Sequence, residues 1–537
     1  MKPLTITVIT DTHYYSEKNG TSGAAYDRAN LKSQKLLKNS AAVLEAAYNQ
    51  IAKDDRSDIV LVCGDVTNNG ELNSHAEAIE QFRSLKARGK RVYVITATHD
   101  FRQEGVSAAY DGDRQITTPT ALREDLFDMY REFGPDEAIA VHRASMSYIV
   151  QLEEGYRLFA LNDDSNWNGK SGFSDECFEW ITEQVKDARD NGQVIIAMTH
   201  HPLIAPSPLY GLIGKGDMLG DHDVRINQLA DMGVQFIFTG HTHVHNISSH
   251  RSRRGNVIYD VSTGSLVGYP AAMRSVTFDP DAGVVRVSTD CVTEPVNADL
   301  GARSLRECLE NQQIGMVRDM IRAAGEDIDT LADMVTAISI KPKVIYKFAW
   351  LIKPIGKLLN TLRVGTVASW SRAETGLSKE DYKDIKDDKV KDFITELVMN
   401  LFAGESKYPP DTAYYKITVG TLNIVDSILR AVHVDIGKIL KVAPNVRGLI
   451  EPLLYNSGIP SYDAVLEIQP FYTADGQAPD VEKEKPVETV KESKKGGFII
   501  AALVILVILL LPLLPLIAVA ALMIWLFNYL KYKEKMK

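Results

Sequence analysis

Apolar runs that end in polar residues alternate with helix-like segments over residues 1–298. TITVIT precedes the segment near 29–52, and DIVLVCGD precedes the segment near 74–88. KRVYVITATHD continues the alternation, as do VIIAMTHH, which follows a helical pattern near 174–190, and VQFIFTGHTH. Strands that alternate with helices predict an α/β architecture. The later runs NVIYDVST, SVTFD and VVRVSTD predict further strands that complete the sheets.

The pattern becomes mainly helical over residues 299–470. MVRDMIRAAGEDIDTLADMVTAI, KDFITELVMNLFA and TLNIVDSILRAV place apolar residues at the three-to-four spacing of amphipathic helices. This part predicts a helical accessory domain. Residues 471–497 are rich in proline and charge, which predicts a flexible linker.

A hydrophobic segment over residues 498–530 predicts a membrane anchor. Residues 498–527 contain no charged side chain, and about 20 apolar residues suffice to cross a bilayer. As one helix the run would extend about 45 Å, beyond a hydrocarbon core of about 30 Å. Either a tilted span or a re-entrant hairpin at Pro512 and Pro515 accounts for this excess. The start, MKPLTITVITDTH, does not resemble a secretory signal, so we expect the catalytic domain on the cytoplasmic side.

The stretch KPKVIYKFAWLIKPIGKLLNTLR, residues 341–363, contains six basic residues and no acidic one. Pro342 and Pro354 predict that it does not form one continuous helix. One interpretation is a pair of ordinary core helices with a solvated face. The other is a surface that rests against anionic lipid headgroups, with Tyr346 and Trp350 near the interface.

Composition narrows the classes of partner. The 537 residues are 45% hydrophobic and 24% charged, which is ordinary for a globular protein. A net charge of −10 argues against nucleic acid as a stable partner, because phosphate contacts need a basic surface. The four cysteines show no paired spacing, so a reducing compartment is expected.

Histidines and aspartates follow five of the predicted strands. Eleven of the twelve histidines lie within the first 250 residues. The five strand ends carry Asp11 and His13, Asp65, His99 and Asp100, His200 and His201, and His241 and His243. Taken alone, a histidine after a strand is more often a polar strand end than a ligand. Five such ends meet at one edge of an α/β fold, where nitrogen and oxygen donors suit zinc, manganese or iron and a shared carboxylate suits a two-metal site.

The ordered blocks DTH (11–13), GDVTNNG (64–70), THD (98–100), HHP (200–202) and GHTH (240–243) resemble the calcineurin-like metallophosphoesterase superfamily. That superfamily includes purple acid phosphatases and cyclic-nucleotide phosphodiesterases. The resemblance covers roughly residues 4–290. It implies a four-layer α/β/β/α sandwich that holds two divalent metal ions (Mn, Fe, Zn or Mg) and hydrolyses a phosphomonoester or phosphodiester.

The resemblance also implies a role for each block. Asp11, His13 and His243 would hold one ion, Asp65 would bridge, and His200 and His241 would hold the second. His99 would contact the phosphate and protonate the leaving group, with Asp100 orienting its ring. Five of the other histidines are expected to be surface or loop residues: His75, His142, His222, His250 and His433.

One residue departs from the family pattern. The family has Gly-Asn-His-Asp/Glu where this chain has Ala97-Thr98-His99-Asp100, and the family's asparagine supplies an amide oxygen to the second metal. Thr98 could ligate that metal, act through a water, or leave the site under-coordinated. Three hypotheses follow: a dinuclear phosphoesterase, a hydrolase with one metal, and a non-catalytic, membrane-tethered scaffold of the same fold.

Overall fold

The computed structural model describes residues 1–30, 33–164, 171–338, 341–431 and 441–473, together with residues 433, 435, 437 and 438. Most of the predicted linker and the whole predicted membrane segment, 498–530, lie outside these residues. Among the helices of the described residues, none combines the length and the apolar character that crossing a bilayer requires.

The strands of the described chain fall into two large sheets and a hairpin. In chain order they are β1 (Leu4–Ile9), β2 (Ile59–Cys63), β3 (Arg91–Ile95), β4 (Val106–Asp111), β5 (Arg114–Pro119), β6 (Ala140–His142), β7 (Ser147–Glu153), β8 (Tyr156–Ala160), β9 (Val194–Met198), β10 (Phe236–Thr239), β11 (Asn246–Arg251), β12 (Val257–Ser262), β13 (Ala272–Asp279), β14 (Val284–Cys291) and β15 (Ala464–Glu467). The first sheet has the order β15-β14-β13-β1-β2-β3, and the second has β11-β12-β10-β9-β8-β7-β6. Strands β1, β2 and β3 are parallel, as are β8, β9, β10 and β12.

The helices of the first 300 residues connect these strands, and the later helices form a separate group. In chain order they are α1 (Ala24–Asn30), α2 (Ser40–Lys53), α3 (Leu72–Ala87), α4 (Arg123–Met129), α5 (Asp175–Asp190), α6 (Pro208–Ile213), α7 (His222–Met232), α8 (Leu305–Glu326), α9 (Ile328–Met334), α10 (Pro342–Thr361), α11 (Val364–Trp370), α12 (Arg372–Thr375), α13 (Val390–Ala403), α14 (Ala413–Ala431) and α15 (Val446–Leu454).

The two sheets pack face to face, and helices cover both outer faces. Along β2, Ile59 and Leu61 enter the core between the sheets, whereas Val60 and Val62 pack against α2 and α3. Along β10 the phenylalanines enter the same central core, whereas Ile237 packs against α5 and α7. Strands buried on both faces are continuously apolar, as the sequence shows. The layers are therefore helix, sheet, sheet and helix.

The C-terminal helices are linked back to the first sheet. After α15 the chain forms β15, which pairs antiparallel with β14 at the edge of that sheet. The helical region is thus bracketed by two strands of one sheet.

Helix α10 corrects the expectation that two prolines interrupt this stretch. It runs without a break from Pro342 to Thr361, with Pro354 inside. Pro342 occupies the first turn, where no backbone N–H is needed. Because proline has no backbone N–H, Pro354 leaves one carbonyl without its helical hydrogen-bond donor, that of Trp350 four residues earlier. Because Trp350 is 74% exposed, water can satisfy that carbonyl.

Candidate metal centre

The predicted site residues lie in five loops, each at the carboxyl end of a parallel strand. The loops after β1, β2 and β3 leave the first sheet, and those after β9 and β10 leave the second. Backbone hydrogen bonds tie them together: Asp11 N donates to the Gly64 carbonyl at 3.0 Å, and Gly240 N donates to the His200 carbonyl at 2.9 Å. The two sheets present these loops to one shared edge, because the amide of His241 in the second sheet's loop donates to Oδ2 of Asp11 in the first sheet's loop at 2.9 Å.

Five of the predicted ligands have left-handed backbone conformations. Their φ angles are 48° at Asp11, 40° at His13, 50° at Asp65, 63° at His241 and 56° at His243. Residues other than glycine rarely adopt positive φ, and such strain concentrates at functional sites. Five of the seven residues that the sequence motifs select as ligands are therefore held in conformations that the surrounding loops enforce.

A first cluster consists of Asp11, His13 and His243. Oδ1 of Asp11 lies 3.2 Å from Nε2 of His243 and 3.6 Å from Nε2 of His13, and the two imidazole nitrogens are 3.0 Å apart. Oδ1 of Asp11 is buried and has no hydrogen-bond donor among the described residues. An orphaned, buried carboxylate oxygen between two imidazole nitrogens fits a metal ligand set.

A second cluster consists of Asp65, His200 and His241. Oδ2 of Asp65 lies 3.2 Å from Nε2 of His200, and Nδ1 of His241 lies 3.3 Å from that same nitrogen. Oδ2 of Asp65 is also 3.9 Å from Nε2 of His13, which belongs to the first cluster. In each cluster the three ligand atoms lie within 4.8 Å of one another. Asp65 therefore occupies the position between the two groups.

Hydrogen bonds fix the orientation of the imidazoles. Nδ1 of His200 donates to the Cys63 carbonyl at 2.8 Å, and Nδ1 of His13 lies 3.3 Å from the Thr67 carbonyl. Since a carbonyl only accepts, the neutral form of either imidazole carries its proton on Nδ1 and directs an unprotonated Nε2 at the cluster. Backbone carbonyls commonly orient metal-binding histidines in this way.

A glycine makes the contact between the two sheets possible. A Cβ at Gly240 would clash with the Thr10 hydroxyl and the Asp11 carboxylate. Because the position has no side chain, the amide of His241 can donate to Oδ2 of Asp11 at 2.9 Å.

The carboxylates of Asp11 and Asp65 remain ionised although they are buried. Burial raises the pKa of Asp11, but the nearby His243 and His13 outweigh it and hold that pKa well below its usual range. Burial likewise raises the pKa of Asp65, and His200 and His99 outweigh it. Burial lowers the pKa of His200, but the Asp65 carboxylate raises it to about 10. Ionised, buried carboxylates are suitable ligands for divalent cations.

His99 lies beside the clusters, and its ring is oriented by a carbonyl rather than by Asp100. Its backbone N–H donates to Oδ1 of Asp65 at 2.9 Å, and its Nδ1 donates to the Asn68 carbonyl at 2.5 Å. The Asp100 carboxylate instead accepts from the backbone amides of Thr67 and Ala97, both at 2.8 Å. The expectation that Asp100 orients the His99 ring is therefore wrong. Four hydrogen bonds from neighbouring loop residues occupy its oxygens, so it braces the loops.

Thr98 lies between Ala97 and His99 in the loop after β3. It is half-buried, and its hydroxyl has no hydrogen-bond partner among the described residues. The loop that carries Thr98 contacts Asp65 through the amide of His99, so the threonine stands next to the second cluster. Its hydroxyl is shorter than an asparagine amide and is a neutral donor or acceptor.

The remaining histidines show that the burial of a single histidine is hard to predict from the sequence. His75 was expected at the surface, but it is fully buried: Nε2 donates to the Asp100 carbonyl at 2.8 Å, and Nδ1 lies 2.7 Å from the Tyr130 hydroxyl. His201 is held by Asp163 at 3.1 Å, and its ring lies 4.1 Å from that of His241. His245 is buried, 2.9 Å from the Thr289 hydroxyl.

A cavity of about 530 Å³ opens onto Asp65, His99, His241 and His243. Aromatic side chains form part of its wall: Tyr15, Tyr26, Tyr110, Tyr210 and Phe402. The volume is within the range of small-molecule sites. Phe402 belongs to α13, so the helical region contributes to the wall.

Two residues near the first cluster were not predicted from the sequence. The side-chain amide of Gln34 lies 2.9 Å from Nδ1 of His243, and Nζ of Lys35 lies 3.4 Å from Nδ1 of His13. Both line the cavity. Burial lowers the pKa of Lys35 to about 8, against the opposing effect of the Asp65 and Asp11 carboxylates. No strand end or motif marks these residues in the sequence.

The mixed α/β sandwich and the paired nitrogen–oxygen clusters are consistent with a metallophosphoesterase domain. Residues 4–245 match the sequence model of the family described as calcineurin-like phosphoesterase. No curated protein sequence matches the chain.

Two solved structures are similar to part of the chain. A dimetal phosphatase from Danio rerio is 13% identical, covers 54% of this chain and 97% of its own, and has a TM-score of 0.38. A conserved uncharacterized protein from Streptococcus pneumoniae TIGR4, described as a predicted phosphoesterase, is also 13% identical, covers 56% of this chain and 96% of its own, and has a TM-score of 0.19. Similarity at this level carries no inference about activity.

Proposed function

We propose that the protein is a metal-dependent phosphoesterase that hydrolyses a phosphomonoester or phosphodiester. The observation that carries the proposal is the convergence of two nitrogen–oxygen clusters, linked by Asp65, at the floor of one cavity. Asp11, His13 and His243 would hold one divalent ion, His200 and His241 a second, and Asp65 both. Manganese, iron, zinc and magnesium are the candidates. When bound, two such ions neutralise charge on a phosphate ester and make hydroxide available near neutral pH.

The residues around the clusters have distinct roles in this proposal. Hydroxide attacks phosphorus in line, the bond to the leaving oxygen breaks, and that oxygen takes a proton from Nε2 of His99. Burial lowers the pKa of His99 to about 4, and an anionic phosphate beside the ring raises it again. Lys35 places a cationic group at the cavity wall, where it can contact a phosphate oxygen.

The test is hydrolysis of p-nitrophenyl phosphate and of bis(p-nitrophenyl) phosphate. We expect turnover when manganese is added and none after chelation with EDTA. Asp11→Asn, which preserves the shape of the side chain but removes its charge, should abolish the manganese-dependent activity. Asp223→Asn is the matched control, because that side chain is 82% exposed at the start of α7.

The alternative is a scaffold of the same fold that does not catalyse, a hypothesis that rests on Thr98. Less than about one bound metal per chain, together with no turnover of either ester by a folded protein, would favour the scaffold. One metal per chain with turnover would favour the mononuclear hydrolase.

We further propose that residues 498–530 anchor the enzyme to a bilayer, with the catalytic domain on the cytoplasmic side. The proposal is supported by the uncharged run 498–527, which lies outside the described residues. Protease accessibility of the catalytic domain in sealed membrane vesicles of known orientation tests it.

A further inference from the structure

Helix α10 exposes a stripe that combines lysines with two large aromatic side chains. The exposed residues recur at the spacing of one helix face: Lys343, Tyr346, Lys347, Trp350, Lys353, Pro354 and Lys357. The opposite face is buried against the other helices through Val344, Ile345, Ile352, Ile355 and Leu359. The helix is therefore amphipathic, but its exposed face contains aromatic side chains as well as lysines.

The aromatic residues of this stripe are unusually exposed. Trp350 is 74% exposed, more than any other large hydrophobic side chain in the described part of the chain, and Tyr346 is 51% exposed. Tryptophan normally buries a large area, so one in this position indicates a surface that becomes covered. Tryptophan and tyrosine are the residues enriched where a membrane meets water.

The charge of the stripe is positive, because every charged side chain in it is a lysine. Residues 341–363 contain no acidic side chain. Lys343, Lys353 and Lys357 form no ion pair within the described residues. The acidic groups that face its edge belong to α9 and its cap: Asp327, which interacts with Lys353, and Asp329, which interacts with the Tyr346 hydroxyl.

We propose that this face of α10 docks onto a bilayer that contains anionic lipids. The lysines would contact the headgroups while Trp350 and Tyr346 enter the interfacial layer. An acidic protein surface would satisfy the lysines, but it gives no reason for two exposed aromatic rings between them. The phosphoesterase activity is not needed for this inference.

The length of the chain beyond the described residues is compatible with this arrangement. Residues 474–497 separate the last described residue from the apolar run that begins at 498. Those 24 residues can span at most about 80 Å when fully extended. A tether of that length allows any face of the folded part to reach the bilayer that the apolar run would enter. The length of the tether does not determine which face meets the bilayer, whereas the positions of the lysines and Trp350 do.

The test is depth-dependent quenching of a fluorophore on α10 in the full chain. Tyr346→Cys is labelled with an environment-sensitive dye, which leaves Trp350 in place. Val224→Cys, 56% exposed on α7, is the matched control site. Each protein is mixed with vesicles of brominated phosphatidylcholine, with and without phosphatidylserine. We expect quenching and a blue shift at position 346 only in the vesicles with phosphatidylserine, and neither change at 224.

Charge-reversal variants distinguish binding through this face of α10 from a general electrostatic attraction between the protein and the vesicles. Lys343→Glu, Lys353→Glu and Lys357→Glu combined should reduce quenching at 346 to its value in phosphatidylcholine alone. Arg88→Glu, Lys186→Glu and Arg253→Glu combined make the same charge change at exposed positions elsewhere and should leave the quenching intact. An unquenched label at 346, equal quenching at 224, or quenching that does not depend on phosphatidylserine would overturn the proposal.

Discussion

The two ligand clusters differ in how completely the chain supplies them. In the first, Asp11, His13 and His243 are packed within 3.0–3.6 Å of one another, and Thr67 and Gln34 contact the outer ring nitrogens. In the second, His200 lies 3.2 Å from Asp65 and 3.3 Å from His241, but the neighbouring loop offers the short hydroxyl of Thr98 where the family has an amide. Each cluster has three candidate ligand atoms, and in our proposal only the second needs a further ligand from Thr98.

This difference suggests unequal affinity for two metal ions. Asp65 is the residue that the clusters share, since one of its oxygens lies 3.2 Å from His200 and 3.9 Å from His13. We expect a tight site at the first cluster and a weak site at the second, with catalysis requiring both.

The largest effect is expected from Asp65→Asn, because it removes charge from both clusters at once. We expect kcat/KM for an aryl phosphodiester to fall by about 10²–10³-fold or more. Metal content measured on the same preparation should fall at both sites. If the variant kept both metals and its activity, Asp65 would not be the shared ligand.

Removing one histidine from each cluster separates the two sites. A manganese titration of the unmodified protein should show a tight and a weak phase. His243→Ala should remove the tight phase and His241→Ala the weak one, and each should lower the rate by about 10²-fold. Calorimetric titration measures the phases. Loss of both phases from either variant would show one cooperative site rather than two unequal ones.

The next largest effect is expected in the pH dependence of stability and comes from His75. This residue supports the loop that carries Thr98 by donating to the Asp100 carbonyl. Burial lowers the pKa of His75 to about 4, so it stays neutral in the folded protein while the unfolded chain takes up a proton below about pH 6.5. The stability that the neutral, buried His75 side chain contributes is therefore present above about pH 6.5 and is lost as the pH falls towards 4. By pH 5 it should lower the free energy of unfolding by about 2 kcal/mol.

Denaturant titrations between pH 8 and pH 5 measure that loss. His75→Gln has no group that titrates in this range, so it should lack this component of the pH dependence. Identical pH profiles for the two proteins would mean that folding does not shift the pKa of His75.

The residues with the largest expected effects are also those that the sequence could predict. The ligands follow apolar strands directly, so their place at the sheet edge could be predicted from local sequence alone. Gln34, Lys35 and Phe402 could not, because their segments reach the cavity only through tertiary packing. His75 was placed at the surface because a lone histidine carries no signal of burial.

The helical region shows the same limit. Its helical character is visible in the spacing of apolar residues. The continuity of α10 through Pro354 was not predicted, since it depends on the exposure of the carbonyl that loses its partner. The pairing of β15 with β14 joins positions nearly 180 residues apart, which no local pattern encodes.

Thr98→Asn tests the difference between the clusters directly. An amide oxygen should add a ligand at the second cluster and tighten the weak phase of the manganese titration by about tenfold. Thr98→Ala is the control, because it removes the hydroxyl without replacing it. A weak phase that Ala abolishes and Asn does not improve would show that the hydroxyl itself ligates and that the chain has adapted to it.

The smallest effect is expected from Phe402→Ala, which changes the wall of the cavity and neither cluster. Phe402 is half-buried at the end of α13 and lines the cavity, whereas its neighbour Leu401 lines a different cleft. Loss of an apolar contact made equally in the ground state and the transition state raises KM without changing kcat. We expect KM for an aryl ester to rise about two- to fivefold in Phe402→Ala and to stay unchanged in Leu401→Ala. A fall in kcat with both metal phases intact would instead mean that α13 positions the reacting groups, so that the helical region takes part in catalysis and not only in binding.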